Sequence, residues 1–113
     1  MAWRTIRLTP GSPPPEVEAE LLEGLRAELA RPETALQPPD APTLYLEESG
    51  TPDNYTHWYA VWDRFEGIDE EERSRLILAA VRAERGVAEA LRVTIAMGLT
   101  PEEAVAVGLD LAA

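Results

Sequence analysis

The chain has 113 residues, enough for one domain with a modest core, and its 45% hydrophobic and 27% charged content is an ordinary globular balance. A formal net charge of −11 disfavours nucleic acid as a partner, because a phosphate backbone is repelled at long range. Cysteine is absent and all ten basic residues are arginine, which excludes disulfides, thiolate metal sites, and cysteine or lysine nucleophiles.

No apolar run approaches the ~20 residues that span a bilayer, and MAWRTIRLTPGSPPP lacks the apolar centre of a signal peptide. A soluble, cytoplasmic protein without a membrane partner is expected. Scarce amides (Asn54 and Gln37 alone) and abundant ion-pairing residues fit either a thermophilic protein or a GC-rich genome.

Along the chain, residues 2–8 read as a short strand with Ile6 and Leu8 on one side. TPGSPPP breaks it, since proline fixes φ and lacks a donor. Val17, Leu21, Leu25 and Leu29 then recur every four residues, with Leu22 widening the stripe, and predict a helix from Pro15 to Ala30. Residues 31–42, with four prolines, read as an extended loop. Thr43–Glu48 and Thr56–Trp62 read as the strands of a hairpin joined through SGTPDN. On the second strand Trp58, Ala60 and Trp62 share one face, and His57, Tyr59 and Val61 the other. Both faces carry apolar bulk, so one is expected to meet helices and the other to be partly covered or adhesive.

Asp69 is placed to cap the next helix, with Glu72 completing a capping box and Glu71 pairing Arg75 at i,i+4. Leu76, Ile77, Ala80 and Val81 give that helix a core stripe, and Gly86 stops it. A short turn is allowed over Val87–Leu91. The run Arg92–Met97 fits strand or helix, and its successive β-branched Val93, Thr94 and Ile95 favour strand. Thr100, Pro101 and Glu103 supply an N-cap, a proline at the first helical position and a capping-box glutamate for a last helix. Strands and helices mixed without βαβ regularity predict one α+β domain over residues 1–113. Its sheet is small, antiparallel or mixed, with three or four strands and helices on one face.

The block from Thr56 to Ala104 resembles the BolA-like family. It carries Thr56-His57-Trp58, then Asp63-Arg64-Phe65-Glu66-Gly67, Arg73-Ser74-Arg75, Glu89-Ala90-Leu91, and the helix opening Thr100-Pro101-Glu102-Glu103. The resemblance implies a small α+β fold related to the KH-type RNA-binding architecture. It also implies a role in iron–sulfur or redox regulation, in which a histidine helps hold a [2Fe-2S] cluster shared with a monothiol glutaredoxin. Ser74 stands where the family's Arg-His-Arg signature has its histidine, and Glu89 where it has the cluster ligand. His57 is then the one remaining ligand candidate, and no resident cofactor is expected. The same block also resembles a small bacterial family that carries no assigned activity.

His57 is the only side chain that ordinarily titrates near neutrality. It needs Asp53 or Asp63 to build a metal or acid–base site, and six residues along one strand separate it from Asp63 by roughly 20 Å. The acidic run Asp69–Glu72 does not converge as magnesium requires, and reads as a solvated helix start. Arg64, Arg73 and Arg75 offer a local cationic patch, or ion pairs with Glu66, Glu70 and Glu71. Trp58, Tyr59 and Trp62 offer stacking surfaces, core, or an interface. With no catalytic string, phosphate loop or metal set, no catalytic or metal residue is assigned. The reading is a non-enzymatic interaction protein that binds a protein partner or a second copy of itself. Its interaction candidates are Trp58, Tyr59, Trp62, His57, Arg64, Arg73 and Arg75.

Overall fold

A computed structural model describes residues 13–50 and 54–109. The expected strand over residues 2–8, and Asp53, lie outside them. Helix α1 (Pro15–Leu29) begins at a proline, where the missing N–H leaves no intrahelical bond unmade, and buries Leu21, Leu25 and Leu29 as the four-residue spacing requires. Strands β1 (Thr43–Glu48) and β2 (Thr56–Val61) pair antiparallel, setting Leu46 opposite Trp58 and Glu47 opposite His57. A 3-10 turn, Asp63–Phe65, leads into α2 (Glu70–Arg85). Gly86, at φ 93°, ends α2 in a conformation that disfavours any side chain, and the one-turn α3 (Val87–Leu91) follows.

The segment that fitted either strand or helix is strand β3 (Val93–Leu99). It lies parallel to β2, with a bulge near Thr56 and His57, so the sheet is mixed and ordered β1-β2-β3. Helix α4 (Pro101–Ala106) closes the described chain with the expected capping box, Thr100 Oγ1 accepting from Glu103 N–H and Glu103 accepting from Thr100 N–H.

Trp58, Ala60 and Trp62 face the helices. They join Leu21, Leu25 and Leu29 of α1, Leu76, Ile77, Ala80 and Val81 of α2, and Phe65 in the main core. α1 and α2 run side by side in the same direction, tied at one end by Arg75 to Glu18 (2.9 Å) and at the other by Arg26 to Glu84 (2.8 Å). α4 does not join them. Its Ala104 packs with Val61 and Leu99 in a separate cluster on the other side of the sheet, so that face is covered at one end.

Two local expectations are corrected. Asp69 makes no side-chain capping bond, and Arg75 pairs with Glu72 (2.6 Å), not Glu71. For Arg75 the cause is tertiary: α1 brings Glu18 to it, and the guanidinium then lies on the Glu72 side of α2. These two carboxylates, Glu18 first, hold the Arg75 guanidinium above its already high pKa.

Candidate functional site

The three arginines do not form a patch. Arg64 reaches back to Glu20 on α1 (3.0 Å) and lies over the Trp62 ring (5.4 Å). Arg75 is held between Glu18 and Glu72. Arg73 is buried, with 5% of its surface exposed. Its Nε donates to Ile68 O (2.8 Å), its Nη1 to Gly98 O (3.1 Å) and Glu103 Oε1 (2.7 Å), and its guanidinium lies over Phe65 (5.8 Å). It therefore ties α2, the turn before it, β3 and α4 together, and it is spent inside the fold.

The same Glu103 carboxylate accepts from Thr100 N–H (2.8 Å). That backbone bond first, then Arg73, holds it below the ordinary carboxylate range against an opposing desolvation effect. Because the folded-state pKa is depressed, the stabilisation is present above the unfolded carboxylate value of about 4.3 and is lost as pH falls through the folded value. Glu103→Gln is expected to flatten the acid side of a melting-temperature profile below that pH. The change is modest, since the carboxylate is 42% exposed. An unchanged acid limb would show that the group contributes nothing to it.

The helix-free part of the sheet carries two cross-strand rows. One is Tyr45, Tyr59 and Met97, and the other is Glu47, His57 and Ile95. Met97 is 38% exposed, and Tyr45, Tyr59, His57 and Ile95 are half-buried. His57 Nδ1 lies 2.8 Å from Glu47 Oε1, across the hairpin. Asp63 is not its partner. The register supplies Glu47, ten residues upstream, a pairing that sequence reading missed and that aligning the two strands about SGTPDN would have revealed.

Trp58 and Trp62, expected as interaction residues, are core: 4% and 5% of their surfaces are exposed. They differ in one respect. Trp62 Nε1 donates to Asp40 O (3.0 Å), whereas Trp58 Nε1 is buried with no acceptor among the described residues. An unsatisfied buried donor costs about 1–3 kcal/mol. Trp58 also forms part of an open cleft of about 690 Å³ between β1, the end of α1 and the loop after it, with Arg85 over its ring (5.4 Å).

Among the described residues no three or more His, Asp or Glu side chains gather as a metal site, and no helix is long and apolar enough to cross a membrane. No family model, curated protein or solved structure matches the chain.

Proposed function

We propose that this domain is a non-enzymatic protein-interaction module that docks through the helix-free face of its sheet, meaning the face opposite α1 and α2 beyond the end that α4 covers, self-association through that face included. One observation carries the reading: β2 has apolar bulk on both sides, and helices α1 and α2 bury only the Trp58, Ala60 and Trp62 side. Tyr45, Tyr59, Ile95 and Met97 are left as a contiguous, partly exposed surface beside the His57–Glu47 pair. Such surfaces mark association sites more often than solvent faces. In a dilution series followed by amide chemical shifts, concentration-dependent changes are expected at Tyr45, Tyr59 and Met97. Changes confined to the α1–α2 surface would remove this face from the reading.

A BolA-like adaptor is the second reading, supported by the order of the elements. Thr56-His57-Trp58 opens β2, Asp63–Phe65 makes the turn, Arg73 lies in α2, and the capped α4 follows β3. The departures hold local roles of their own: Ser74 Oγ donates to Ala96 O (2.5 Å) and Glu89 accepts from Arg92 (3.0 Å). Mixing the chain with a cluster-loaded monothiol glutaredoxin tests it. A change in the cluster's visible spectrum that is lost in His57→Ala supports it, and an unchanged spectrum removes it.

A further inference from the structure

The two edges of the sheet are not equivalent. On β3, the carbonyls of Ala96 and Gly98 already accept from Ser74 Oγ (2.5 Å) and Arg73 Nη1 (3.1 Å), so α2 guards that edge. Among the described residues β1 is the other edge. Ser49 N–H donates to Tyr55 O (2.9 Å), which together with the register assigns the odd-numbered β1 residues to the bonds with β2. The backbone N–H and C=O groups of Leu44, Leu46 and Glu48 therefore point away from the sheet. These three residues also line the cleft that contains Trp58.

We infer that this cleft receives an extended segment of a basic partner protein. The segment adds to β1 as a further strand, with an apolar side chain over Leu46 and an arginine or lysine two residues away. Strand addition supplies backbone bonds, and the period of two delivers alternate side chains to the cleft. Leu46 is 40% exposed above Trp58, which gives the apolar side chain its seat. The charge selects the partner. Glu28, Glu33 and Glu48 line the cleft against Arg31 and Arg85. Arg31 is already engaged by Leu36 O and lies 3.6 Å from Glu28, whereas Glu33, Glu48 and Arg85 make no ion pair among the described residues, which leaves the cleft one negative charge in excess. Two further observations agree. The parallel helices α1 and α2 both end beside the cleft, and a helix C-terminus carries partial negative charge. Trp58, whose buried Nε1–H has no acceptor among the described residues, lines the same cleft.

This surface is distinct from the helix-free face, and the inference stands whether or not that face self-associates. The test is a titration of isotope-labelled protein with a capped peptide of about ten residues alternating valine and arginine, a length typical of a long strand. Shifts are expected at the amides of Leu44, Leu46 and Glu48 and at the Trp58 indole N–H. N-methylating the peptide amides on one side should weaken binding about tenfold or more, and on the other side should leave it unchanged. The double change Glu33→Arg with Glu48→Arg should weaken it about three- to tenfold while the melting temperature holds. A valine–glutamate peptide should not bind. Shifts scattered over the acidic surface, equal effects of the two N-methyl patterns, or no shifts at all would overturn the inference. Silence in this titration beside shifts at Tyr59 and Met97 on dilution would end this inference and leave the helix-free face as the docking surface.

Discussion

Replacing Arg73 with alanine is expected to destabilise the domain by about 2–4 kcal/mol, from buried carbonyls that lose a donor and the void left by the side chain. Three acceptors lose their donor at once: Ile68 O, Gly98 O and the Glu103 carboxylate. Glu103 is partly exposed and turns to water, but Gly98 is buried and its carbonyl is left without that donor. The side chain's stem also packs beside Gly98 and its guanidinium lies over Phe65, so truncation leaves a void. Arg73→Lys should recover part of the loss, because an ammonium keeps the charge and cannot span three divergent acceptors. Denaturant melts of the two variants check this. A loss below about 1 kcal/mol for Arg73→Ala would place the residue among ordinary surface arginines.

Gly98→Ala is expected to cost about 2–3 kcal/mol, at the upper end of ordinary overpacking. A Cβ at Gly98 would stand 2.7 Å from Arg73 Cβ and 3.1 Å from Phe65 Cε2. Neither neighbour yields cheaply: one is fixed to the α2 backbone, and the other is a fully buried ring. Gly24→Ala is the informative comparison. Its Cβ would meet Trp62 Cη2 at 2.6 Å, but alanine gains about 1 kcal/mol of helix propensity over glycine there. The net cost at Gly24 should therefore be the smaller of the two. Equal melting temperatures for Gly98→Ala and the parent chain would mean that α2 is not pressed against β3 at this point.

Local chemistry made much of the fold legible. The aromatic and β-branched run of β2, the Leu76–Val81 stripe of α2 and the Thr100–Glu103 cap each state their own structure within a few residues, and each is present. Alternation also showed that Trp58 and Trp62 share a face. It could not show which face the helices would take, since both carry bulk. Arg73 was illegible for a physical reason: a charged side chain is exposed by default, and two of its partners, Gly98 and Glu103, lie far along the chain. The Asp69 cap failed in the other direction. Its local signature is sound, and nothing in the structure explains why the side-chain bond is not made. His57 found Glu47 only through the hairpin register.

The most direct measurement is sedimentation across a concentration series at low and at moderate salt, on the parent chain and on Tyr59→Asp. Two copies of a chain of net charge −11 repel one another, so screening should favour their association. The parent is expected to shift toward the mass of a dimer as concentration and salt rise. Tyr59→Asp, folded and equally soluble, is expected to stay monomeric. A parent chain that sediments as a monomer throughout, or a Tyr59→Asp chain that associates as well as the parent, would contradict self-association through the helix-free face of the sheet.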